Sequence, residues 1–168
     1  MSDTYYSIKK DEDKKGNEIP SFFVSNAVKN VIFTMTGLEV IETKVPDAAD
    51  VDFISHISGV VLITGSINAM FSLTVAKPMA YLLVSSMTGI LPQNLREEEL
   101  YDGITELVNM ISGETRAQMS GRGLHFSTLP PFAIIGDKHF VLHKNKVANL
   151  VKKFLVGDKD IYFKVYFL

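Results

Sequence analysis

Tyr101–Gly121 reads YDGITELVNMISGETRAQMSG. Ile104, Leu107, Val108, Ile111 and Met119 recur in it at three- and four-residue intervals. That spacing predicts the middle and end of one long amphipathic helix. A second stripe, Asp102, Glu106, Asn109, Gly113 and Arg116, follows the same steps on another face. Such steps stack side chains one above another. Asn and Gly are poor helix formers, each costing roughly 0.5–1 kcal/mol relative to Ala. A face built only for solubility draws on Glu, Lys, Arg and Ala. An acid, an amide and a glycine stacked a turn apart therefore indicate that something approaches this helix.

The flanking sequence supplies the rest of the fold. Pro92-Gln93-Asn94 breaks the chain, and Asn94 followed by Glu97 fits a capping box for the central helix. Glu97, Glu98 and Glu99 then lie at the positive end of its dipole. Lys77-Pro78 opens an earlier helix that runs to about Thr88 and Gly89. Before it, Gly59–Thr64 and Ile67–Val75 read as strands, with Gly65-Ser66 as a two-residue hairpin connection. Asp52–Ser58 is expected to lengthen the first of them. Ile67, Ala69, Phe71, Leu73 and Val75 alternate onto one face of the second.

Pro46–Asp50 is a loop by composition, and Glu39–Val45 is a short strand. Pro20-Ser21 opens the first helix, with Phe22, Phe23, Ala27, Val31 and Met35 as its apolar face and Gly37 as its stop. Beyond Gly121, Leu124–Leu129, Phe132–Ile135 and Lys138–Leu142 are short strand segments punctuated by Gly and Pro. Ile161–Leu168 alternates as a strand. Val147, Leu150, Val151, Phe154 and Leu155 fit a helix template better than a strand over Val147–Val156.

The totals bound the function classes. At 168 residues the chain has the size of one domain, and about two-thirds of its unfolded surface can be buried. It is 46% apolar and 21% charged, as in ordinary globular proteins. A net charge of -2 gives no broad footprint for nucleic acid. The absence of cysteine excludes disulfides and thiolate metal sites, and fits a reducing compartment. No apolar run reaches the length of a membrane span, and the first residues have no apolar core of the signal-peptide kind. The expectation is a cytoplasmic protein. Met1–Glu18 mixes Lys with Asp and Glu; it reads as a solvated tail, or as an edge strand through Tyr5, Tyr6 and Ile8.

Glu106-Leu107-Val108-Asn109, followed by Met110-Ile111-Ser112-Gly113, resembles the E-x-x-N motif of the CheC/CheX/FliY chemotaxis phosphatases. Asp102 fills the family's Asp or Ser position four residues before the Glu. Pro130 and Pro131 stand where the family has a proline about twenty residues beyond the Asn. The resemblance is closest to the CheX branch and covers roughly Phe22 to the C-terminus. Two departures stand out: Glu114 follows Gly113 in place of Asn or His, and the spacing to Pro131 is about one residue short.

The resemblance implies an α/β (α+β) sandwich, a mostly antiparallel sheet with two or three packed helices. It implies one phosphatase domain over residues 21–168, after the polar segment read from composition at residues 1–20. It turns Val147–Val156 into a strand, paired with Ile161–Leu168 through Gly157–Asp160. It implies a homodimer joined through sheet edges, and a CheY-like response regulator as partner and substrate. The reaction would be hydrolysis of the regulator's phosphoaspartate, ending a chemotactic signal.

Phosphoryl transfer depends mostly on positioning and electrostatics. An amide both donates and accepts, so Asn109 suits the task of holding the attacking water. Glu106 cannot help by approaching a phosphate; it suits pairing with a cation, which the resemblance supplies as a lysine of the receiver. Asp102, Gly113 and Arg116 would border the contact. The Mg²⁺ would sit in the partner's active site, and this chain offers no metal cage and no cofactor site. Ala27 stands three residues before Asn30, so the first helix lacks an acid-amide pair and one active site per chain is expected. Two other readings stay open: a receiver-binding module without activity, and a scaffold. His139 and His143 fall in an expected strand, about 13 Å apart, too far for one ion. His56 and His125 have no partner visible in the sequence.

Overall fold

Three helices lie on one face of an antiparallel sheet. The structure, a computed structural model, describes residues 19–45, 56–137, 139 and 150–168. The elements are α1 (Ser21–Thr36), β1 (Val40–Thr43), β2 (Ile57–Gly65), β3 (Ala69–Val75), α2 (Lys77–Thr88), α3 (Glu97–Met119), β4 (Phe126–Thr128), β5 (Phe132–Ile135), β6 (Leu150–Val156) and β7 (Lys159–Phe167). This is the α+β sandwich expected from the resemblance. The expected loop at residues 46–50, most of the strand extension at 52–58, most of the strand at 138–142 and the N-terminal tail lie outside the described residues.

The strand order is β1-β6-β7-β3-β2-β4, with β5 also on β2, and every described pairing is antiparallel. β4 and β5 share the outer edge of β2. β4 takes Ile63–Gly65 and β5 takes Ile57–Val60. Pro130 and Pro131 fall in the gap between them, where a residue without an N–H breaks no ladder.

The core lies between the sheet and the helices. Val61, Ile63, Phe71, Leu73, Phe154, Ile161, Phe163 and Val165 meet Val28, Ile32, Leu83, Ile104, Leu107 and Ile111 there. Two glycines set how close the helices come. A β-carbon on Gly59 of β2 would stand 2.6 Å from the carbonyl oxygen of Ile104, and one on Gly103 of α3 would stand 2.5 Å from Cγ2 of Val84. Gly59 thus lets α3 lie directly on β2, and Gly103 lets α2 lie directly on α3.

Several local expectations change. The hairpin between β2 and β3 is not closed by Gly65-Ser66; its innermost pair is Ile63 with Ala69. Gly65 pairs with Phe126, and Ser66 N–H donates to the His125 carbonyl at 2.8 Å, so these two residues are held by β4. α3 is capped two residues later than Asn94–Glu97, by Arg96 and Glu99. Asn94 ends a 3-10 turn, and Arg96 N–H donates to the Glu99 carboxylate at 2.9 Å. In α1 the buried residues are Val24, Ser25, Ala27, Val28, Val31 and Ile32, while Phe22 is exposed. Residues 150–156 form a strand between β1 and β7. Pairing on both sides outweighs their helical spacing, as the resemblance implies. β6 and β7 turn through Gly157 and Asp158, with Gly157 at φ 62°.

Candidate functional site

α3 runs for 23 residues in the middle of the helical layer. Leu100, Ile104, Leu107, Val108, Ile111, Thr115 and Met119 are buried, so the helix has one rotational setting on the sheet. That setting turns the second stripe outward. Asp102, Glu106 and Arg116 are exposed, and Asn109 and Gly113 are half-buried. The five residues therefore share one surface ridge, with Glu106 and Asn109 one turn apart. Among the described residues neither side chain is taken up by an internal hydrogen bond or ion pair. A β-carbon on Gly113 would meet nothing within 4 Å, so no neighbour in this chain demands the glycine.

The N-terminal end of the ridge is braced. Lys77 of α2 pairs with Glu97, whose other oxygen accepts from the Tyr101 hydroxyl at 3.2 Å. Lys77 holds the Glu97 carboxyl below its ordinary value, and the Arg96 backbone N–H does the same for Glu99. The acidic run is accounted for by capping and bracing of the helix.

α1 flanks the ridge on one side. The two helices border an open groove of about 510 Å³, lined by Asn30, Val31, Phe33, Thr34, Met110 and Glu114. Phe33 is 59% exposed. The sequence reading passed over this groove, because its two walls are far apart in the chain. Its signal was the apolar Phe33 standing beside the polar Asn30 and Thr34. Ala27 is buried, so α1 presents Asn30 with no acid one turn before it.

Two histidines have partners that spacing did not show. His56 Nδ1 accepts from Lys77 N–H at 3.2 Å, and its Nε2 lies 3.7 Å from Asp137. His139 is in no strand; it bridges Ser58 Oγ at 2.7 Å and the Gly136 carbonyl at 3.0 Å. Ser58 is in turn 2.8 Å from Thr74 Oγ1, so these groups tie the start of β2 to the chain after β5. His143 lies outside the described residues. No cluster of three or more His, Asp or Glu suited to a metal ion occurs among the described residues. None of their helices is long and apolar enough to cross a membrane.

The family model described as chemotaxis phosphatase CheX matches residues 57–155, more than half of the chain. The chain belongs to the CheX family. Its ridge lies inside the matched region, as do the two closely packed glycines. A search of curated proteins by sequence gives no match.

Solved structures agree with this fold. CheX from Vibrio vulnificus superposes with a TM-score of 0.77 at 22% identity, over 92% of this chain and 100% of that one. CheX from Desulfovibrio desulfuricans gives 0.73 at 27% identity, over 88% and 98%. CheX of Borrelia burgdorferi, solved as a CheX–CheY–BeF3–Mg²⁺ complex, gives 0.69 at 20% identity, over 89% and 98%. The CheX fold thus spans nearly the whole chain, including α1, which precedes the matched region.

Proposed function

We propose that this CheX-family protein hydrolyses the phosphoaspartate of a CheY-like response regulator. The supporting observation is the ridge: Glu106 and Asn109 stand one turn apart on the outward face of a helix whose opposite face is locked in the core. Both side chains are available to a partner.

In this reading the ridge enters the receiver's active site. Asn109 accepts from and donates to one water and aligns it with the phosphorus. The water oxygen forms the new P–O bond, and the bond to the aspartyl carboxylate breaks. Inorganic phosphate leaves as the dihydrogen anion with both of the water's protons, and the receiver's aspartate is regenerated as a free carboxylate. The Mg²⁺ that neutralises the phosphoryl oxygens belongs to the receiver. Glu106 pairs with a receiver lysine and fixes the register, so that the amide arrives in line. Positioning dominates this chemistry, and misplacing a reacting group by one ångström costs on the order of a hundredfold. Asp102, Gly113 and Arg116 border the contact.

The protein would act in the cytoplasm as a homodimer. Exposed apolar residues at both sheet edges, Ile41 on β1 and Phe132 and Ile135 on β5, support an edge-to-edge pairing.

The test is the decay of a phosphorylated CheY-like receiver from the same organism, with and without this protein. Acceleration by the wild type, lost in Asn109→Ala with binding retained and lost in Glu106→Ala with weaker binding, supports the assignment. A wild type that binds without accelerating decay is a receiver-binding module, and one that does neither refutes the partner as well.

A further inference from the structure

We propose that the groove between α1 and α3 is the second half of the receiver's seat and takes an apolar side chain of the receiver beside its phosphorylation site. This rests on the receiver reading above. Three observations carry it.

The first is area. From Asp102 to Arg116 the ridge is about 21 Å long at 1.5 Å per residue, and one side chain wide. A standard interface covers about 800 Å² on each partner. A receiver seated on Asn109 must also cover one flank. On the flank that carries Gly103, Met110 and Glu114, the N-terminal end is closed by α2, with Gly103 packed on Val84. Toward α1 the same flank opens into the groove.

The second is continuity. Met110 directly follows Asn109, and Glu114 directly follows Gly113. The α3 wall of the groove is thus the next column of side chains, about 100° around the helix from the ridge. A partner that reaches Asn109 is already at its edge.

The third is chemistry. Val31, Phe33 and Met110 give the groove an apolar lining, with Asn30, Thr34 and Glu114 as its polar members. An apolar centre with a polar rim, rich in aromatic residues and Met, is the pattern of protein interfaces. Met110 can adapt to the shape of its guest. Glu114 accepts from Gln118 at 2.8 Å through one oxygen and stands two turns from Glu106. The guest's surroundings should therefore be cationic, as suits a receiver that already offers a lysine to Glu106.

The test uses the full chain and a CheY-type receiver from the same organism. The receiver is phosphorylated with acetyl phosphate for kinetics and loaded with beryllofluoride for equilibrium binding. Phe33→Ala should raise both KM and Kd at least fivefold, with kcat within twofold. Phe33→Leu should restore most of the affinity. Thr34→Lys, at an exposed position that cannot disturb the core, should weaken binding by charge repulsion, less so in high salt. KM and Kd within twofold of wild type for both Phe33→Ala and Thr34→Lys would overturn the proposal. So would a change in oligomeric state by light scattering with receiver Kd unchanged, since a second copy would then cover the groove. Binding without hydrolysis by the wild type defeats only the phosphatase reading, and the Kd comparison still decides the groove. A wild type that does neither overturns both.

Discussion

Gly59 of β2 lies so close to Ile104 of α3 that a β-carbon on the glycine would stand 2.6 Å from the Ile104 carbonyl oxygen. The contact is strand to helix backbone, so no side chain can swing aside to relieve it. Ile104 is five residues before Asn109 on the same rigid element, and the approach therefore sets the height of the ridge above the sheet.

Gly59→Ala should push α3 outward. Overpacking of this kind costs about 1–3 kcal/mol, which a urea or thermal unfolding midpoint will register. Phosphatase activity should fall further than stability implies, because the displaced helix carries Asn109. An unfolding midpoint equal to that of wild type would show that α3 tolerates the added methyl group.

Gly103→Ala meets a side chain instead, with Val84 Cγ2 at 2.5 Å. Val84 is fully buried, and its β-branched side chain has few rotamers. The single change should destabilise by about 1–3 kcal/mol. Combining it with Val84→Ala should cost less than the sum of the two single changes, since the second removes the clash. Strict additivity in a double-mutant cycle would contradict the direct contact.

Gly113→Ala separates stability from function. Nothing lies within 4 Å of the added carbon, so the helix should gain about 0.5–1 kcal/mol. If the receiver's loops pass over Gly113, KM should rise while the melting temperature also rises. A stabilised variant with unchanged KM would remove Gly113 from the docking surface.

Asn109→Asp keeps the side-chain shape and exchanges the donor for a charge. A carboxylate repels the phosphoryl group and cannot donate to the attacking water, so turnover should drop on the order of a hundredfold or more. Glu106→Gln should weaken receiver binding most at low ionic strength, and the gap to wild type should narrow with added salt. A salt-independent difference would argue against an ion pair at this position.

Acid stability should depend on Glu42. Burial pushes its carboxyl up, but Lys152, Ser25 and Lys29 together hold it below the ordinary value of 4.5. Lys152 lies 3.0 Å from it and Lys29 3.7 Å, so the group ties β1 to β6 and α1. As the pH falls, the unfolded chain takes up this proton before the folded one. The contribution is therefore present above the unfolded value and lost as the pH falls through the folded one. Glu42→Gln should be less stable than wild type at pH 7, and the difference should shrink in acid. A constant difference between pH 7 and pH 3 would assign the effect to packing.

The chain's own periodicity determined α3, its buried face and its outward stripe, because a helix of 23 residues repeats its signal over six turns. The same local chemistry placed α1 and α2 through Pro20, Pro78 and the left-handed caps at Gly37 and Gly89. The acid-amide pair was legible for the same reason: Glu106 and Asn109 stand one turn apart on one helix. Tertiary structure decided what depends on partners distant in sequence. Leu150–Val156 has helical spacing but becomes a strand, because β1 and β7 offer it ladders on both sides. Gly65 and Ser66 leave the hairpin turn because β4 competes for their backbone. Gly59 and Gly103 look like faults in a strand and a helix until Ile104 and Val84 are seen against them. The groove beside Asn109 exists only where α1 packs along α3, joining Phe33 to Met110 across the chain.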